Sequence, residues 1–190
     1  MVVRIMLSIL QNRLPIKVSE QYLIRHINND DSEGVFQLYG NEKIAKYVAK
    51  KVHSSIEESE EFIRIINERM KRGNDIYLGL CEGSSQKLIG IIRFLEKEEP
   101  GTLTIGYAIN EEFWGQGIVA AAVKKLIEII NLEGGYSKLR ATVRPENINS
   151  QKCLDKIGFE LVGSFMKNEI IDNREVQRER LLYVKTLETY

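Results

Sequence analysis

Residues 104–126 read TIGYAINEEFWGQGIVAAAVKKL. An apolar strand pattern ends in the polar turn Asn110-Glu111-Glu112, and Trp114-Gly115-Gln116-Gly117 carries the chain straight into an apolar-periodic helix. The first amides of a helix have no intrahelical partner, and the helix dipole there favours negative charge. Glycines let such backbone approach a ligand without side chains in the way. The stretch is a candidate phosphate cradle, although a bare Gly-x-Gly is also what an ordinary helix-start turn looks like.

Two familiar phosphate loops are absent. No G-x-x-x-x-G-K-[ST] run occurs, and Gly115-Gln116-Gly117 lacks the third glycine and the downstream acid of a dinucleotide fingerprint. A second ordered block lies further on: Val143-Arg144-Pro145-Glu146-Asn147-Ile148-Asn149-Ser150, followed by Gln151-Lys152-Cys153-Leu154-Asp155-Lys156-Ile157-Gly158-Phe159.

Together the blocks resemble the GNAT N-acetyltransferases, in particular the branch holding bacterial ribosomal-protein N-terminal acetyltransferases and spermidine acetyltransferases. That branch reads G-Y-x-[IL]-x-x-x-[YF]-W-G-x-G-x-A-[TS]-E-A. Here Gly106-Tyr107-Ala108-Ile109 and Phe113-Trp114-Gly115-Gln116-Gly117-Ile118 follow it. The second block resembles the family's strand, Asn-x-x-Ser and short helix ending in Gly-Phe. The resemblance runs from about residue 23 to 183.

It implies an α+β acyl-CoA N-acyltransferase fold: a mixed, mostly antiparallel sheet splayed between its two central strands, with flanking helices. It also implies acetyl-CoA as co-substrate and no metal. By position, backbone at Ala108, Ile109 and Asn110 would pair with the pantetheine arm. The amides of Gly115, Gln116, Gly117, Ile118, Val119 and Ala120 would hold the diphosphate, with Gln116 framing the loop. Asn147 and Ser150 would lie near the pantetheine arm and the thioester. An amide near Ile109 would stabilise the oxyanion, and Ser150 would protonate the departing thiolate. For Ser150, N-terminal capping of the short helix stands as an equal alternative, with Asn149 as the competing cap.

Three positions depart from the relatives. Thr104 replaces a glutamate before Ile-Gly-Tyr, Ala121 replaces the Glu of T-E-A, and Val119 replaces a small loop residue. Without the strand carboxylate an acceptor of low pKa is favoured. An α-amine near ~7.8 is about a tenth neutral at pH 7, a lysine near ~10.4 about a thousandth or less. The first expectation for the acceptor is therefore a protein N-terminal α-amine. A small-molecule amine (polyamine, amino sugar, amino acid) and a catalytically impaired acyl-CoA binding module remain the alternatives.

The remaining candidates have plainer readings. Cys153 sits at helical spacing with Leu154 and Ile157, which favours a core residue over an acyl-accepting nucleophile. Glu57, Glu58, Glu60 and Glu61 favour a helix start rather than a polyamine site. Tyr107 and Trp114 read as packing residues beside the cleft, His26 and His53 as surface or satisfied-core residues. Glu179 reads equally as facing the acceptor or as a solvated strand residue.

Composition sets the frame. The 190 residues suit one domain, placed at 19–190 after an N-terminal extension at 1–18. Formal net charge is zero, so no global attraction to nucleic acid or membrane is expected. Cys81 and Cys153 stand apart with no zinc or disulfide spacing. The first ten residues carry Arg4 and Ser8 inside a short apolar run, unlike a leader or a span. A cytoplasmic location is expected, and self-association into a homodimer is left open.

Along the chain, strands are expected at 22–27, 76–81, 88–95, 102–109 and 139–143, and a final antiparallel pair at 159–171 and 176–184. Helices are expected at 35–39 (capped from Asp30-Asp31-Ser32), after a Ser55/Glu58 capping box, at 118–131, and after Asn149.

Overall fold

The computed structural model describes Leu10 and residues 12–48, 51–73, 75–96, 99–133, 135–171 and 174–188. The opening stretch 1–9 of the expected extension lies outside them. Of its described residues, Leu10 is fully buried in the core, and β1 (Ile16–Lys17) pairs antiparallel with β2 (Tyr22–Arg25).

Three helices follow: α1 (Ser32–Tyr39), α2 (Glu42–Val48) and α3 (Ile56–Lys71). Then come β3 (Asp75–Glu82), β4 (Leu88–Glu96), β5 (Thr102–Ile109), α4 (Ile118–Glu133), β6 (Lys138–Val143), α5 (Ile148–Ile157), β7 (Glu160–Ile171) and β8 (Arg174–Thr186). The strands form one eight-stranded sheet in the order β1-β2-β3-β4-β5-β6-β8-β7. Only β5 and β6 run parallel; the other neighbours are antiparallel. The α+β reading and its mixed sheet hold.

Each face of the sheet is covered by its own helices. Val123, Leu126 and Ile130 of α4 pack on Leu103, Ile105, Leu139 and Ala141 from one side. Val35 and Leu38 of α1 and Ile63 and Ile66 of α3 pack on Tyr77, Ile91 and Ala108 from the other. Strand alternation sorts the residues: odd positions of β5 face α4, and Ala108 faces α1 and α3.

Helix starts differ from expectation in two places. Asn28, not Asp30 to Ser32, supplies a cap, and it serves a short 3₁₀ turn at Asn29–Asp31. The Asp31 carboxylate is drawn off by Arg25 (2.7 and 2.8 Å) and by the Asn28 N–H, so it cannot cap α1. At α3 the Ser55 side chain makes no cap bond, and Glu58 accepts from the Ser54 N–H at 2.7 Å instead. Sequence reading missed α2 altogether, although Asn41, whose Oδ1 accepts the Lys43 N–H at 2.9 Å, signals its start.

Candidate active site

The site begins where β5 and β6 part. Their register holds Thr102↔Lys138, Leu103↔Leu139 and Thr104↔Arg140, then stops, while β5 stays paired to β4 as far as Ile109. The Asn110 N–H donates across to Ile89 O at 2.8 Å. The carbonyl of that same peptide, Ile109 C=O, therefore points into the gap. A strand residue turns its own N–H and C=O to one side, so the Ile109 N–H faces the gap as well. Thr104 is the last paired residue before this fork.

The turn after β5 is built to expose amides. Gly115 and Gly117 have φ of 76° and 77°, while a Cβ at either would meet nothing within 4 Å. These glycines are therefore needed for left-handed backbone rather than for room. Left-handed residues flanking Gln116, whose φ is not positive, alternate in the way that turns successive N–H groups toward one side. The Trp114 N–H is satisfied by Glu111 O, and the Ala121 N–H by Gly117 O. Between them, the six amides of Gly115 to Ala120 have no partner among the described residues. Among the described residues no side chain caps α4. Gln116 Nε2 donates to Glu112 O at 2.9 Å, and Trp114 Nε1 to Ile109 O at 2.9 Å, which holds the loop against the end of β5.

Val119 is 7% exposed and points into the core, so its branched side chain does not cover the amides. Ala121 lies on the exposed side of α4.

α5 starts in the opposite manner. Asn147 Oδ1 accepts the Ser150 N–H at 3.2 Å, so neither Ser150 nor Asn149 is the cap. The Ser150 hydroxyl is left to pair with the Tyr107 hydroxyl at 3.0 Å, and Tyr107 also reaches Ser150 O at 3.2 Å. Burial pushes the Tyr107 phenol far above its ordinary value, and the neighbouring Cys153 adds to the rise, so this tyrosine stays protonated and serves as a hydrogen-bond donor. Burial likewise raises the Cys153 thiol, in keeping with a packing role.

These parts open on one cleft of about 630 Å³. Of the residues expected at the site, Ala108, Ile109, Gly115, Gly117, Ile118, Val119, Ala120, Asn147 and Ser150 line it. Asn110 and Gln116 do not: Asn110 turns its side chain to the Glu112 N–H, and Gln116 braces the loop from behind. Sequence reading missed Lys43, Lys46 and Tyr47 of α2, which form part of the wall, and the hydroxyl role of Tyr107. Tyr107 was findable, since it shares strand parity with Ile105 and Ile109 and so faces α5. The acids on the wall, Glu146 and Asp155, are exposed. His53 is a satisfied residue away from the cleft, with Nδ1 2.8 Å from Ser59 Oγ and its ring against Tyr39.

A row of free amides beside a splayed strand pair fits a diphosphate-bearing thioester. The family model for the acetyltransferase (GNAT) domain matches residues 21–160. The chain is 25% identical over 146 residues to an uncharacterized N-acetyltransferase, p20, of Bacillus licheniformis, covering 76% of this chain and 82% of that one. It is 26% identical over 112 residues, 58% of each chain, to the ribosomal protein uS5-alanine N-acetyltransferase of Escherichia coli. Among solved structures, the microcin C7 self-immunity acetyltransferase MccE, in complex with acetyl-CoA and AMP, superposes with a TM-score of 0.78 at 24% identity, over 91% of this chain and 96% of that one. Among the described residues no helix is long and apolar enough to cross a membrane. The chain belongs to the GNAT family and is an acetyl-CoA-dependent N-acetyltransferase.

Proposed function

We propose that the protein moves the acetyl group of acetyl-CoA to the α-amine of a protein N-terminus, with a ribosomal protein as the model acceptor. The observation that carries this reading is the run of six unpartnered amides, Gly115 to Ala120, opening on the same cleft as the β5–β6 gap and the Ser150–Tyr107 pair. In this account the amides grip the diphosphate of the substrate, and the gap-facing backbone of Ile109 aligns the pantetheine arm, since Ala108 turns its N–H and C=O to β4 and the Asn110 N–H is taken by Ile89 O. Asn147 fixes the start of α5 and with it Ser150. The Ile109 N–H stabilises the oxyanion that forms as the amine attacks the carbonyl. Ser150 donates its proton to the departing thiolate.

Ordering two reactants in one cleft supplies roughly 7–11 kcal/mol of the barrier reduction. The wall carries no buried carboxylate among the described residues, so a strong base is not at hand. An α-amine needs little help: its neutral fraction at pH 7 exceeds that of lysine by about 3.5 kcal/mol in free-energy terms. The relative acting on uS5 alanine adds support from the family side.

A thiol-release assay with acetyl-CoA and a panel of N-terminal peptides, polyamines, amino sugars and amino acids tests the reading. Turnover with peptides above the other amines is expected. Turnover with polyamines alone moves the acceptor to the small-molecule class, and binding of acetyl-CoA without turnover on any amine identifies an acyl-CoA binding module.

A further inference from the structure

The sheet face opposite α4 and α5 carries a charged cluster that acetyl transfer as described does not use. On β6, Leu139, Ala141 and Val143 are buried in the core beneath α4, so alternation turns Arg140, Thr142 and Arg144 to the other face. On β8, Tyr183 belongs to that same core, which places Arg178 and Arg180 with the β6 arginines. Glu169 of β7 lies between them. It accepts from Arg144 Nη2 at 3.1 Å and from Arg180 Nε at 3.0 Å, with Arg180 Nη2 also bonded to it.

Two guanidinium side chains, each 10% exposed, thus share one carboxylate. Arg144 Nε and Arg140 Nε are buried and have no partner among the described residues, and the Arg140 guanidinium lies 5.8 Å from the Phe165 ring centre. The Arg144 pKa is pushed down by burial first and then by the charge of Arg180; Arg178 acts in the same sense, against Glu169 and Glu146. Two largely buried guanidinium groups against one carboxylate, with Arg140 beside them, leave the arrangement short of negative charge. Its position is the other half of the case. Arg140 stands at the last β5–β6 pairing, so the cluster begins at the fork and spreads away from it across β8 to β7.

We propose that Arg140, Arg144 and Arg180 form an anion subsite for the acceptor, which selects an amine carrying a carboxylate or phosphate, foremost an acidic side chain near a peptide N-terminus. The inference rests on the acetyl-transfer reading and names its substrate class. Neighbouring strands lie ~4.8 Å apart, so the subsite starts roughly 5–10 Å from the gap. An extended peptide advances ~3.3–3.6 Å per residue, which puts the acidic residue at about the second to fourth position.

The test uses the full chain and three peptides identical but for Asp, Asn or Lys at the third position, with phosphoethanolamine against ethanolamine as the small-molecule arm. The Asp peptide is expected to exceed the Asn peptide in kcat/KM by ~10-fold or more at low salt, with the ratio shrinking as salt rises. The ratio is expected to fall toward one in Arg144→Gln and in Arg140→Gln; being a ratio, it is insensitive to a general loss of folded enzyme. Equal rates on Asp and Asn peptides, or a preference undiminished in both variants, overturn the subsite. A preference confined to phosphoethanolamine overturns its peptide form. If no amine is acetylated, the acetyl-transfer reading fails. Calorimetric binding of the N-acetylated Asp peptide against its Asn counterpart then still decides the subsite, with tighter Asp binding supporting it and equal binding overturning it.

Discussion

α4 and α5 both begin at the same cleft, yet they begin differently. At α5 the Asn147 side chain takes up the Ser150 amide, and the helix start is closed by the protein itself. At α4 six successive amides are left open, on backbone that two left-handed glycines hold in place. A helix start that evolution has left bare, beside one it has capped, marks where a ligand supplies the missing acceptor. The capped start serves a different end: it fixes a hydroxyl. One terminus binds, the other aims.

That contrast breaks most readily at Gly117. Gly117→Asp places a carboxylate among the open amides and makes α4 resemble α5. CoA affinity is expected to fall ~100-fold or more, about 3 kcal/mol, as measured by calorimetry. The thermal midpoint should change little, because a new cap contributes about 1 kcal/mol and offsets the backbone strain. Retained affinity would mean that the amides do not hold the diphosphate.

The aiming half is tested by a double-mutant cycle. Ser150→Ala is expected to lower kcat ~100-fold, in the range for loss of a general acid, with CoA affinity unchanged. Tyr107→Phe keeps the ring and removes the hydroxyl bonded to Ser150, and a drop of ~10-fold in kcat is expected. The double variant should be no slower than Ser150→Ala, since Tyr107 acts through Ser150. Additive losses in steady-state kinetics would separate the two roles.

Removal of the cap itself is milder. Asn147→Ala should cost ~1 kcal/mol of stability, a shift of about 2–4 °C in Tm for a chain of this size, read by calorimetric scanning. The kcat should fall with it, because the start of α5 positions Ser150.

The smallest expected effect lies away from both termini. Burial holds the His53 pKa below its ordinary 6.5. As pH drops below that value the unfolded chain takes up a proton that folded His53 resists, so stability declines through the window. His53→Gln should flatten the decline in urea midpoints measured across it, and an unchanged slope would assign the effect to other groups.

Much of this was legible in the sequence, for physical reasons that differ by region. The exposed turn was readable only in part: Gly-x-Gly at a helix start also suits an ordinary turn, and it was the family resemblance that named Gly115 to Ala120, the six amides the structure leaves open. The β5–β6 splay followed from family resemblance, not from periodicity, which says nothing of where two strands part. Caps were less legible. Ser, Asn and Asp at 28–32, at 54–55 and at 147–150 all suit the role, and the winner depends on which side chain is already engaged. Asp31 is held by Arg25, Glu58 turns to the Ser54 amide, and Asn147 precedes the two residues first considered at α5. α2 was lost because seven residues give barely two turns of periodicity. The arginine cluster was beyond sequence reading: Arg144 and Arg180 share Glu169 only because β8 inserts between β6 and β7.

The most direct test follows the backbone amides of residues 115–120 by two-dimensional NMR during titration with CoA and, separately, with pantetheine, which lacks the diphosphate. The account predicts that CoA shifts the Gly115 to Ala120 amide protons strongly and that pantetheine leaves them in place while moving Ile109. Bound CoA that leaves those six signals unmoved would contradict it.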